Sequence, residues 1–454
     1  SRGEPEQAGT VTAPAPTGDI YKVAGIAGEP EMRVRIQARV PSVELAGTPE
    51  FAVTPLRGLV REGRQTVKGP LVFTLDEFGW VVQRPSGKPL RFSRDRDVEV
   101  VGLGDDPVIC NGTMYPGRFR LTAATSGGNQ AGDIARASEQ ARTIPAAPAL
   151  AGTGAPGAAA PADPARVIDV IEHVPLEAYL PGVVAKELYE GWPAAAYQVQ
   201  AVCARSYAIH ERLRSMAAGR AFDVEATTRD QAYQGASAPP VARQAVESTR
   251  GLVMAYGDAV LRTYYSSTCG GRTASAKETW PITRGYEYNL AAPLQASARP
   301  SACQKSPLFT WRTDRDRADL ARRLAAYGQK MGFMIRQIKD VQNVSVLAVN
   351  AVGRPTEYKV VDSDGKWYRL KAEELRLACN TDYPGSAPIT RANRVNSGDL
   401  ELVLEGSSVL IMGRGFGHGV GMCQFCTRGW AEQGEGYEQM LPRFYHGARL
   451  VRAY

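Results

Sequence analysis

The chain has 454 residues, 44% hydrophobic and 22% charged. That excludes a wholly disordered or coiled-coil protein and leaves room for up to about three domains. Lysine and arginine outnumber acids 54 to 47, and the net charge of +7 favours an anionic polymer, nucleic acid or cell-wall glycan, without choosing between them. Glycine (46) and proline (30) against only 4 histidines point to turn-rich β structure rather than a helical bundle.

Residues 1–19 are polar, Pro/Ala/Gly-rich and aperiodic, as expected of a flexible tether. No apolar run approaches the roughly 18 residues of a membrane span. The first residue is Ser1, so a processed, soluble product without a transmembrane segment is expected. Over 20–124 the pattern predicts short strands, among them Val34 to Val40, Leu71 to Leu75 and Val98 to Gly102, each bounded by turn residues. Between 144 and 165, 18 of 22 positions are Ala, Pro or Gly, so 125–165 is read as an insertion that packs no core of its own.

A strand is expected from Arg166 to Ile171, then a helical region from Val174 to about Ala218, with Pro193 near the start of its second helix. Val199, Val202, Ile209, Leu213 and Met216 form one apolar stripe there. Strand signals resume at Leu252 to Met254 and Val260 to Tyr265. A helix follows from Arg315 to Gly332, then strands at Val344 to Val349, Glu357 to Val361 and Leu402 to Met412. The predicted class is α+β with mainly antiparallel sheet, a central helical segment and a strand-rich N-terminal part.

Three places could carry chemistry. The first is a helical stripe of Leu176, Tyr179, Leu180, Val183 and Val184. Glu187 falls about 20° from Leu176 on the same helix, which puts a carboxylate on the apolar line. Burial and the helix C-terminus would both raise its pKa, as a general acid requires. Pro181-Gly182 argues the other way, for a kinked helix and a solvated Glu187. Gln198 and Arg205 share a polar face on the next helix. The second place is the hydroxyl-dense turn from Tyr264 to Thr273, holding Tyr265, Ser267, Thr268, Gly271 and Thr273. The third is Gly413 to Gln424, with five glycines at period two. An extended segment there would have one bare face, with Arg414, Phe416, His418 and Val420 on the other. It lacks the spacing and context of a nucleotide loop.

Of seven cysteines, only Cys423 and Cys426 have CxxC spacing. Cys269 and Cys303 would complete a four-thiolate site with them, or form a disulfide. Plain, partly free thiols and no metal are the expectation. A Cys269/His418 nucleophilic pair is a further alternative.

The run from Val174 to Glu187, with Trp192-Pro193 and Gln198 to Ala208, resembles the stage II sporulation protein D and amidase-enhancer family. The Tyr265 to Thr273 turn, the Gly413 to Gln424 segment and the closing Tyr437 to Gly447 resemble its other signatures, in order over about 280 residues. The resemblance implies that 166–454 is the catalytic part of such a domain. It implies a lytic transglycosylase cutting the MurNAc-β-1,4-GlcNAc bond of denuded peptidoglycan strands and leaving 1,6-anhydro ends. Glu187 would be its catalytic acid and base, and no cofactor would be needed. One carboxylate suffices because the sugar's own 6-hydroxyl attacks. Arg205, Tyr207, Tyr265, Ser267, Thr268, Gly271 and Thr273 would orient glycan, with His418 and Gln424 supporting the cleft. The resemblance also implies an exported protein whose partner is peptidoglycan rather than nucleic acid, with a cell-wall amidase as a second candidate partner. Its alternative function is a non-catalytic, wall-binding amidase enhancer. Zinc-binding sporulation members carry a Cys/His cluster after the helix. The matching Asp223 to Tyr233 has neither residue type, so zinc is not expected at that place.

Overall fold

The computed structural model describes residues 21–124, 166–227 and 230–454. The tether expected over 1–19 and the insertion expected over 125–165 lie outside the described residues. The fold is α+β with mostly antiparallel sheets, as the sequence predicts. No helix among the described residues is long and apolar enough to cross a membrane.

Alternating residues in the N-terminal strands become alternating burial: Val98 and Val100 are fully buried, and so are Phe119 and Leu121. Five strands, β1 (Glu31–Val40), β2 (Glu50–Arg57), β3 (Asp97–Gly102), β4 (Arg118–Ala123) and β5 (Ile168–Pro175), form most of one sheet in the order β1-β5-β4-β3-β2. Val224–Glu225 adds a parallel edge to β1. Ala123 pairs with Ile168, so β4 and β5, consecutive among the described strands, are neighbours in the sheet. A six-stranded antiparallel sheet, from Ser42–Ala46 to Thr113–Tyr115, packs with it. Their inner faces share one core, with Phe51, Val53 and Phe119 on one side and Leu45, Phe73 and Trp80 on the other. Full burial of each such side chain contributes about 1.5–3 kcal/mol.

Helices α1 (Leu176–Glu187) and α2 (Ala194–Ala217) follow β5 directly. Pro175 ends the strand and caps α1; Pro193 caps α2, one residue before its first turn. The helix runs through Pro181 without a break. Gly182 is required for another reason: a Cβ there would stand 2.2 Å from the Gly235 carbonyl oxygen, so only glycine lets the 230–235 loop lie on α1. Val199, Val202 and Ile209 are buried as predicted, but Met216 at the end of the stripe is 51% exposed. The last turn of α2 runs past the core.

Residues 308–411 build a second core around Leu320, Leu324, Tyr358, Leu370 and Ile411. It joins helix Arg317–Met331 and helix Ala372–Cys379 to two three-stranded sheets. The expected strand from Leu402 to Met412 is a hairpin, Leu400–Glu405 and Ser408–Arg414, turning at Gly406 with φ of 60°. An apolar run on both sides of one glycine hid that turn.

The glycine segment departs from the expected extended strand. Gly415, Gly417, Gly419 and Gly421 have φ between 71° and 94°, which no flat strand contains. A Cβ on Gly421 would stand 2.1 Å from the Tyr264 carbonyl, and one on Gly415 would stand 2.4 Å from that of Thr268. The bare positions let this segment lie against the 264–270 chain.

Candidate active site

Two short strands carry the centre of the site. β6 (Tyr265–Ser266) pairs in parallel with β7 (Met422–Cys423), matching Tyr265 to Met422, and helix α3 (Gln424–Glu432) starts immediately after β7. Gln424 is thereby held beside the C-terminal end of α1, where Glu187 is 2% exposed. Gln424 Nε2 donates to Glu187 Oε2 at 3.4 Å and to Gln200 Oε1 at 3.2 Å.

The second Glu187 oxygen, Oε1, has no hydrogen-bond partner. Burial pushes the Glu187 carboxyl up to about 7, against the weaker opposing pull of Gln424, the Ala232 N–H and the Tyr265 hydroxyl. Gln231 fixes the direction of the tyrosine. Its Nε2 donates to Ala204 O at 3.1 Å and to the Tyr265 hydroxyl at 3.3 Å, and its Oε1 accepts from the Tyr179 hydroxyl at 3.3 Å. The Tyr265 oxygen therefore accepts from Gln231, leaving its proton for Glu187.

His418 stands one layer behind. Its Nδ1 accepts from the Val420 N–H at 3.0 Å, so the ring proton lies on Nε2, which donates to the Tyr265 carbonyl at 2.9 Å. Burial, with the Arg376 and Arg354 charges nearby, lowers its pKa to about 3. The neutral ring meets the stacked pair of Trp280 and Tyr264 edge to face and holds the strand that carries Tyr265. With both nitrogens engaged, His418 is no base for Cys269, and the nucleophilic-pair alternative fails on geometry.

Glu187, Tyr265, Gln424 and His418 thus come together, and several other expected residues do not. Arg205 is fully buried and bidentate to Glu177 at 2.9 and 2.8 Å, with further bonds to Thr249 Oγ1, Val246 O and Leu252 O. Every nitrogen is used inside the protein, so the expectation that Arg205 orients glycan is corrected: it ties α1 and α2 to the segment around 246–252. Burial pushes the Glu177 carboxyl up, and the Arg205 guanidinium, with the Tyr454 hydroxyl and the Gly251 N–H, more than offsets this and holds it below its ordinary value. Tyr207 is also buried, its hydroxyl accepting from Arg262 at 3.0 Å. Ser267 and Thr268 are buried too, and Thr268 Oγ1 is 2.8 Å from Ser306 Oγ. Buried Thr273 donates to the Ser297 carbonyl at 3.2 Å. These four side chains all have polar partners within the protein. Gly271, with φ of 90°, is exposed at the turn.

The residue pattern did not reveal Gln200, Gln231 or the aromatic group beside Glu187. Gln200 is masked because α2 is buried almost all round from Ala196 to Glu211; Gln231 lies in a loop without periodicity. Tyr189, Trp192 and Phe425 cluster at centroid distances of 5.1 to 6.2 Å, with the Arg428 guanidinium 5.5 Å from the Trp192 ring. Tyr189 is 36% exposed, so one edge of this group faces solvent two residues from Glu187. A groove of about 1100 Å³ opens separately beside the hydroxyl turn, lined by Arg272, Trp311, Val346, Tyr358, Leu402 and Arg414.

All seven cysteines are free thiols, and four of them are grouped. Cys269, Cys303, Cys423 and Cys426 are buried with all four sulfurs within 4.8 Å of one another, whereas Cys110, Cys203 and Cys379 lie apart from that group.

Comparison with known proteins gives the same domain. A stage II sporulation protein family model matches residues 165–256, and a domain of unknown function matches 277–421. An uncharacterized protein of Brachyspira hyodysenteriae is 28% identical over 283 residues, 62% of this chain and 68% of that protein. Stage II sporulation protein D of Bacillus subtilis is 24% identical over 297 residues, 62% of this chain and 76% of its own. The Bacillus subtilis amidase enhancer is 25% identical over 300 residues, of which the chain spans only 40% of the relative's length. The matched domain begins at the strand that leads into α1 and Glu187, so residues 165–256 of this chain carry a stage II sporulation protein domain.

Proposed function

We propose that this protein is an exported peptidoglycan lytic transglycosylase in which Glu187 is the single acid and base. The observation that carries the reading is a buried carboxyl held near 7 with one oxygen lacking any partner. Below that pH Glu187 is a neutral acid, and Oε1 is the atom free to hold its proton. In the first half-reaction Glu187 protonates the glycosidic oxygen, the C1–O bond of the MurNAc residue breaks and the GlcNAc hydroxyl leaves. In the second, the Glu187 carboxylate takes the proton of the MurNAc 6-hydroxyl, whose oxygen closes on C1 to give the 1,6-anhydro ring. The acid is regenerated and no water is consumed. The Tyr265 hydroxyl and Gln424 amide stabilise the transient carboxylate, and Tyr189 with Trp192 supplies rings for sugar stacking. Digestion of denuded glycan strands with wild type and Glu187→Gln, read by mass spectrometry, tests it: anhydro-muropeptides from wild type alone support it.

A second reading has its own support. Glu187 is 2% exposed, and one relative is named an amidase enhancer. A wall-binding enhancer of a cell-wall amidase would sediment with purified sacculi without turnover. It would raise the partner amidase rate equally in wild type and Glu187→Gln.

A further inference from the structure

The four clustered cysteines come from three places far apart in sequence. Cys269 sits in the turn after β6, Cys303 in the loop before strand Thr310–Asp316, and Cys423 and Cys426 at the end of β7 and in the first turn of α3. Cys269 Sγ is 3.7 Å from Cys303 Sγ and 3.8 Å from Cys426 Sγ, and every pair lies within 4.8 Å. A disulfide bond is about 2.05 Å long, so none of these sulfurs is bonded to another. Four thiolates on one zinc ion at about 2.3 Å form a tetrahedron with edges of about 3.8 Å. A cubane iron–sulfur cluster, whose irons and sulfides stand between the cysteine sulfurs, needs them much farther apart.

The surroundings suit negative sulfur. The Cys269 and Cys426 N–H groups point at Cys423 Sγ, at 3.2 and 3.4 Å. Ser301 Oγ is 3.2 Å from Cys303 Sγ. Cys423 is the N-cap of α3, where the helix dipole favours an anion. All four ligand positions are protein sulfur and all are buried, the composition of a closed structural site rather than a catalytic one.

We propose that Cys269, Cys303, Cys423 and Cys426 form a mononuclear tetrathiolate zinc site that fixes the junction of β6, β7 and α3. Gln424 lies inside the Cys423–Cys426 loop, and the Cys269 turn continues from Tyr265. The metal therefore positions the two side chains that flank Glu187. This site differs in place from the Asp223 to Tyr233 stretch and does not depend on what reaction, if any, Glu187 performs.

The test is metal content. Full-length protein, purified with reductant and without chelator, is assayed by inductively coupled plasma mass spectrometry and zinc X-ray absorption. One zinc per chain with four sulfurs at about 2.3 Å is expected. Cys303→Ala should lose the zinc, whereas Cys110→Ala and Cys379→Ala should keep one equivalent. Should Cys303→Ala not fold, stepwise titration of wild type with a mercurial thiol reagent replaces it, and zinc release should track four protected thiols. Metal-free wild type, two disulfides by non-reducing mass mapping, one equivalent of iron instead, or zinc retained in folded Cys303→Ala would each overturn the proposal.

Discussion

Replacing Glu187 by glutamine should change how stability depends on pH, and the structure gives both sign and size. The folded carboxyl titrates at about 7 against an ordinary 4.5, chiefly because it is buried. Below 4.5 the group is protonated in both folded and unfolded chains and costs nothing. Between 4.5 and 7 the unfolded chain releases the proton and the folded one retains it, so stability falls by about 1.4 kcal/mol per pH unit. Above 7 both forms are ionised and the loss levels off at about 3 kcal/mol. Glutamine is isosteric and does not titrate. The stability of Glu187→Gln minus that of wild type should therefore rise by about 3 kcal/mol from pH 4.5 to pH 8, then stay flat. Glu172, also buried and raised to about 7, is present in both proteins and cancels in the difference. Urea unfolding at pH 4.5, 6 and 8 reads it, with tryptophan fluorescence, to which the first-core Trp80, Trp192, Trp280 and Trp430 contribute, as the probe. A difference constant with pH would refute the claim that Glu187 is held as a neutral acid.

Other consequences follow from the same contacts. Gln424→Leu removes a donor to the Glu187 carboxylate, so the alkaline limb of any Glu187-dependent rate should move to higher pH, as a pH–rate profile would read. Arg205→Ala leaves the Glu177 carboxylate buried without its bidentate partner and should cost about 3–5 kcal/mol in chemical denaturation, an effect on folding rather than on ligand affinity. Gly421→Ala meets both a φ of 71° and the Tyr264 carbonyl, and a loss above about 2 kcal/mol is expected. His418→Phe removes the Nε2–H bond to the Tyr265 carbonyl. Activity should fall while the pH profile keeps its shape, because His418 is already neutral across the working range.

The carboxylate at the centre of the site was readable because α1 keeps one period for twelve residues. Leu176, Tyr179, Leu180, Val183, Val184 and Glu187 are all buried on that helix. The strand alternation in β3 was readable for the same reason. The inward bonding of Arg205 is not legible in the polar-face pattern: α2 is buried almost all round from Ala196 to Glu211, and a buried ion pair with Glu177 looks in sequence like a solvated face. The period-two glycines marked close backbone approach correctly but not their positive φ, since spacing does not carry dihedral sign. The convergence of Cys269, Cys303 and Cys423 depends on contacts spanning 34 and 154 residues, which no local pattern records.

The most direct test of the central claim is the product of denuded glycan strands after incubation with wild type and with Glu187→Gln. The account predicts 1,6-anhydroMurNAc ends from wild type and none from the variant. Absence of anhydro ends with folded wild type, or equal yields from both proteins, would contradict it.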